Sequence, residues 1–145
     1  MRLLVPTDFS DTADAALEAA ARLALALDGD VVVLHVISEP PLFADDLGGV
    51  QVDRIHAAQA RWADEQLRPR VAGLVDAGVR GRGHVAVGSV AREIVAAAEA
   101  WRADLIVMGT HGRGRVGQLL LGSVANRVIR TAPCPVMTVR GALPR

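Results

Sequence analysis

The sequence predicts a three-layer α/β fold in which an open, parallel, five-stranded sheet carries helices on both faces. Three observations carry this expectation. Short β-branched runs alternate with longer Ala-rich runs along the chain, in the order β-α-β-α-β-α-β-α-β. Two of the short runs, residues 31–37 and 104–109, are apolar almost throughout instead of at every second position, the pattern of strands buried on both faces. The apolar share is 51% but the aromatic share only 3%, so a core must be built from Ala, Val, Leu and Ile. At 145 residues the chain suits one compact domain, 1–145. No internal repeat or low-complexity segment marks a boundary.

Each element has a local reason. Leu3, Leu4, Val5 and Pro6 make a first strand, ended by Pro6. Ser10 or Asp11 then offers an N-cap side chain. Residues 12–27 follow as a helix, because Ala16, Leu17, Ala20, Leu23, Ala24 and Leu27 recur at helical spacing. Asp28-Gly29-Asp30 stops it. Residues 31–37 form the second strand, interrupted only by His35. Pro40-Pro41 and Gly48-Gly49 make residues 38–50 a loop, and residues 51–77 read as a long helix that Pro69 should kink or split. Residues 79–87 are a weaker strand, loosened by Gly81 and Gly83. Ser89 offers a cap for a helix over residues 90–101, and residues 104–109 form the fourth strand. A glycine-rich loop leads to a last helix, 123–131. Pro133-Cys134-Pro135 ends that helix, and Val136 to Val139 form the final strand. Such alternation implies right-handed crossovers.

Composition narrows the chemistry. The 16 basic residues balance 16 acidic ones, and every basic residue is Arg. Bulk electrostatics therefore gives no pull toward nucleic acid. The missing lysine excludes a Walker-type phosphate lysine, a Schiff base and the lysine of a phosphoryl-accepting receiver domain. The single cysteine, Cys134, cannot form an internal disulfide. The opening apolar run is too short for a signal peptide, and no run suits a membrane span. A soluble, cytoplasmic protein with neither membrane nor nucleic-acid partner is the expectation.

In open parallel sheets, ligands sit beyond the carboxyl ends of the strands, where strand order reverses. The first strand ends at Pro6-Thr7-Asp8, and the fourth at Met108-Gly109-Thr110-His111-Gly112-Arg113-Gly114-Arg115. Gly122-Ser123 opens the last helix. Glycines let backbone N–H groups approach a phosphate, and a helix start adds free N–H groups and a positive dipole end. The amides of residues 109–112 and 122–123 should therefore converge on one anion, with the Ser123 hydroxyl donating and Arg113 and Arg115 supplying charge. The spacing Gly109-x2-Gly112-x9-Gly122-Ser123 resembles the ATP-binding signature of the universal stress protein family. Val5-Pro6-Thr7-Asp8-Phe9-Ser10, Leu34-His35-Val36, residues 105–112 and Ala132-Pro133-Cys134-Pro135-Val136 resemble the family's strands and loops in the right order. The resemblance is weak only over about residues 38–82.

The resemblance implies sheet order 3-2-1-4-5 and a homodimer joined through Val136 to Val139. It implies ATP as ligand, with ADP, AMP or cyclic AMP as related candidates. Asp8 would lie against the nucleotide or its Mg²⁺, with Pro6 and Thr7 beside it. Val36 would contact adenine, partly through its backbone. Residues Gly109 through Arg115 would wrap ribose and phosphates, and Gly122, Ser123 and Val124 would hold phosphates. Plainer roles stand beside these: Asp8 as a turn cap, Ser123 as an N-cap, His111 on the loop rim, His35 as a hydrogen-bonded core histidine, Cys134 as a structural thiol, and Trp62 and Trp101 at core or interface edges. His56 and His84 lack partners at ligand spacing.

A cradle without an evident catalyst points to a nucleotide-responsive stress or regulatory protein, with hydrolysis slow or absent and a protein partner unnamed. An ATP-dependent enzyme of the adenine-nucleotide α-hydrolase type would need a Ser-Gly-Gly-x-Asp-Ser-like first loop, where this chain has Thr7-Asp8-Phe9-Ser10. A receiver domain lacks its lysine and acidic pair. A structural dimer module with an empty cleft is the remaining alternative.

Overall fold

The computed structural model describes residues 1–38, 49–110 and 121–141, with the side chains of residues 49–52 outside that description. The elements are β1 (Arg2–Pro6), α1 (Asp11–Ala26), β2 (Asp30–Ser38), α2 (Gly49–Asp76), β3 (Arg80–Gly88), α3 (Val90–Trp101), β4 (Leu105–Gly109), α4 (Ser123–Thr131) and β5 (Val136–Val139). All strand pairs are parallel, and the sheet order is β3-β2-β1-β4-β5. This is the architecture and order expected.

Strand alternation sorts the core into two layers. Leu3, Val5, Val31, Val33 and Val107 face α1 and α2, where they meet Ala16, Leu17, Ala20, Leu67 and Leu74. Leu4, Val32, Leu34, Val36, Ile106 and Met108 face α3 and α4, where they meet Ala91, Ile94, Ala98, Ala125 and Val128. Both faces of β1, β2 and β4 are therefore covered, which is why their sequences run apolar without alternation.

Two local expectations meet particular outcomes. Of the kink or split expected at Pro69, the split does not occur, and α2 is one helix. Proline there removes an N–H and costs roughly 3 kcal/mol, but the helix is held on both sides of it. Leu67 and Leu74 are buried. The Arg70 guanidinium donates to both Asp14 carboxylate oxygens, at 2.7 and 2.9 Å, and to the Gln66 carbonyl at 3.0 Å. The second concerns β3, expected as a strand loosened by its glycines: all nine of its residues register with β2. Those glycines let α2 sit close, since a Cβ on Gly81 would lie 2.7 Å from Leu74 Cδ1.

Ser10, not Asp11, caps α1, its Oγ accepting from the Ala13 N–H at 3.3 Å. Ser89 holds the N-cap position of α3, but its side chain makes no capping bond.

Candidate functional site

Pro6 opens the crevice. The Arg2 carbonyl accepts from the Asp104 N–H, so the even-numbered residues of β1 turn their backbone groups toward β4. Pro6 is the next even residue after Leu4, and it has no N–H to give. The β1–β4 ladder accordingly stops at Leu4 and Ile106, while β4 runs on to Gly109. On the other side, the Leu34 carbonyl accepts from the Thr7 N–H at 2.8 Å. By the same alternation Val36 turns its N–H and C=O the same way, just beyond the last residue of β1. The two strands flanking β1 thus outrun it, leaving a slot at the switch point of the sheet.

A tight turn floors that slot. Thr7, buried, accepts the Phe9 N–H on its Oγ1 at 3.0 Å. Asp8 Oδ1 accepts from the Ser10 N–H at 3.1 Å and from the Ser10 hydroxyl. Asp8 therefore caps the turn and lines the crevice at once. Phe9 adopts φ 63°, rare for a residue with a bulky side chain. The Arg70 guanidinium lies 4.9 Å above its ring, and His35 stacks on it at 4.5 Å. His35 Nδ1 lies 2.9 Å from the Thr7 carbonyl. A carbonyl only accepts, so Nδ1 carries the proton. His35 is half-buried and hydrogen-bonded, but it also borders the cavity.

The start of α4 supplies donors. Gly122 is its N-cap, and no side chain caps the helix. The first helical bond runs from the Asn126 N–H to the Gly122 carbonyl, leaving the N–H groups of Ser123, Val124 and Ala125 without intrahelical acceptors. The structure corrects which amides are available. The Gly122 N–H donates to the Thr110 carbonyl at 2.8 Å, and the Thr110 N–H donates to the Val139 carbonyl at 3.0 Å. These two amides hold the loop ends together. Gly109 also has a different reason to be glycine: an added Cβ would sit 3.1 Å from the backbone C and O of Thr12. Close approach of α1 is by itself a reason for glycine there.

These parts surround one cavity of about 660 Å³, within the range of small-molecule sites. Pro6, Thr7, Asp8, Val36, Met108, Gly109, Thr110, Gly122, Ser123 and Val124 all line it. His111, Gly112, Arg113, Gly114 and Arg115 lie outside the described residues. Sequence reasoning missed the walls from the other helices. Gln59 and Trp62 of α2 and Val90 and Ile94 of α3 also line the cavity. Gln59 and Trp62 stand three apart, the spacing of neighbours on one helix face, but nothing in the sequence aims that face at the sheet edge.

Among the described residues no group of three His, Cys, Asp or Glu side chains could hold a metal ion, and no helix is long and apolar enough to cross a membrane. Asp8 accordingly belongs to no such group among the described residues. Cys134 is half-buried; burial pushes its thiol above the ordinary range, and Asp104 adds to the effect.

Fold and crevice together define an open parallel α/β protein with a mostly apolar cleft at its switch point, onto which the uncapped start of α4 opens. Residues 1–140 match the universal stress protein family, and the chain belongs to it. It is 34% identical over 139 residues to the universal stress protein MJ0531 of Methanocaldococcus jannaschii, covering 96% of this chain and 81% of that protein. The solved structure of MJ0577, from the same organism, superposes with a TM-score of 0.85 at 30% identity, covering 99% of this chain and 97% of that one. A universal stress protein of Archaeoglobus fulgidus, solved in complex with dAMP, is 28% identical, with a TM-score of 0.69 and coverage of 96% and 97%.

Proposed function

We propose that this chain is a cytoplasmic, ATP-binding universal stress protein that works as a nucleotide-responsive regulator, with hydrolysis slow or absent. One observation carries the reading. The uncapped N-terminus of α4 faces the same cavity as the strand edge at Val36. A helix N-terminus favours an anion. A strand edge offering one donor and one acceptor suits the amino-pyrimidine edge of adenine. The cavity thus has a phosphate end and a base end, and the dAMP-bound relative supports an adenine nucleotide as occupant.

In this reading Ser123 and Val124 hold phosphates, with Gly112, Arg113 and Arg115 contributing from the loop. Asp8 sits near the ribose or a Mg²⁺ carried by the nucleotide. The bound nucleotide acts by favouring one conformation over another. A homodimer forms through β5, an edge strand beside exposed Met137 and Ile129.

The test is calorimetric titration with ATP, ADP, AMP and cyclic AMP, with and without Mg²⁺, on wild type and Asp8→Ala. ATP is expected to bind, and Asp8→Ala to lower the Mg²⁺ dependence. Absence of binding by any of the four overturns the reading; an unchanged Mg²⁺ response removes Asp8 from the metal's neighbourhood.

A further inference from the structure

We propose that Trp62 is a base-stacking residue that closes the base end of the cavity from the α2 side. This rests on the nucleotide reading above and goes beyond it, because α2 carries none of the residues through which the chain resembles its family.

The geometry begins with the sheet. A base that hydrogen-bonds to the Val36 N–H and C=O takes the place of the strand that β1 fails to continue. Its plane then follows the sheet, and its two faces look toward the two helical layers. On the α3 and α4 side stand Val36, Ile94 and Met108, an apolar floor already packed in the core. On the α1 and α2 side the cavity is bordered by His35, Gln59 and Trp62.

Trp62 is built for that position. It is 44% exposed, although burying an indole is worth more than burying most side chains. Its orientation is nonetheless supported. Phe9 meets it at 5.3 Å and 85°, and His35 at 6.1 Å and 72°. Phe9 and His35 are themselves stacked, and Arg70, which Asp14 clamps, lies over the Phe9 ring. Among the described residues no ring lies flat on Trp62. The structure therefore holds an indole at the cavity wall with no other ring of the described residues stacked on its face. Aromatic stacking tolerates any base, so Trp62 would add affinity for the base while the Val36 edge selects among bases.

The chain's other tryptophan makes a clean control. Trp101 lies at the opposite edge of the sheet, where its carbonyl accepts from Arg2 and its ring packs 5.4 Å from the Arg82 guanidinium. In a Trp101→Phe background, emission reports on Trp62 alone. ATP is expected to quench that emission in parallel with calorimetric saturation. Trp62→Ala is expected to weaken ATP, ADP and AMP alike by about tenfold (about 1.4 kcal/mol), because all three present the same base. Trp62→Phe should stay within about threefold of wild type. If ATP binds but emission does not change and Trp62→Ala binds as tightly as wild type, the stacking role is wrong and the nucleotide reading survives. If wild type binds no adenine nucleotide in the calorimeter, both fall. Should Trp62→Ala fail to fold, the emission of the Trp101→Phe protein and the affinity of Trp62→Phe decide alone.

Discussion

Gly109 separates two explanations of one glycine. If it exists to admit a phosphate, adding a methyl group should cost ligand affinity. If it exists to admit α1, the same methyl should cost stability. The structure favours the second. A Cβ there would stand 3.1 Å from the Thr12 carbonyl carbon, carbonyl oxygen and Cβ at once. Ordinary carbon contacts lie near 3.5–4.0 Å, so the first turn of α1 must move by about half an ångström. Backbone atoms in a helix capped by Ser10 and packed through Ala13, Ala16 and Leu17 do not give cheaply. Thr12 also stands close to Gly141, where an added Cβ would lie 2.7 Å from its Cγ2. Overpacking of this kind costs about 1–3 kcal/mol, a Tm fall of roughly 3–10 °C at this chain length. Thermal and urea unfolding of Gly109→Ala measure it, and calorimetry on the folded mutant should find ATP affinity within about threefold of wild type. Unchanged stability together with a tenfold loss of ATP would refute the packing explanation.

Three further outcomes are expected. Gly122→Val should weaken ATP at least about tenfold without unfolding the protein, because its φ of −61° and ψ of 156° suit any residue while its position borders the cavity; equal affinity in a folded mutant would displace the phosphates from α4. Arg102→Gly should raise Tm by about 2–4 °C, since Arg102 ends α3 at φ 53° and ψ 54°, where glycine saves about 1 kcal/mol; an unchanged or lower Tm would mean that the Arg102 side chain matters more than its backbone. Alkylation of Cys134 should be slower than that of free cysteine near neutral pH and should need more alkaline solution, because a raised thiol leaves less thiolate at any given pH; a rate matching free cysteine would contradict the burial argument.

Most elements could be read from the sequence because their causes are local. α4 ends before Pro133-Cys134-Pro135 and β5 begins directly after it, and β2 and β4 announce their burial by apolar runs. That Pro69 does not split α2 was not legible, because the ties that hold the helix together, Arg70 to Asp14 above all, join residues 56 apart. Within the site, Pro6, Asp8 and Ser123 were legible as strand end, turn acid and helix start. Their convergence on one cavity followed from strand order. The α2 wall was not legible, since helical spacing places Gln59 and Trp62 on one face without saying what that face meets. Gly109 was legible as a special position but its contact with Thr12 was not, because a glycine beside a crevice and a glycine beneath a helix look alike in a sequence.

The bond from the Gly122 N–H to the Thr110 carbonyl has a bearing on how such a chain can diversify. It fastens the neck of the segment between residues 110 and 122, so that β4 and α4 keep their spacing whatever chain runs between them. Closing a longer loop costs only about 0.6 kcal/mol for each doubling of its length. A change in the length of chain between Thr110 and Gly122 therefore costs little so long as this bond keeps the end of β4 beside the start of α4.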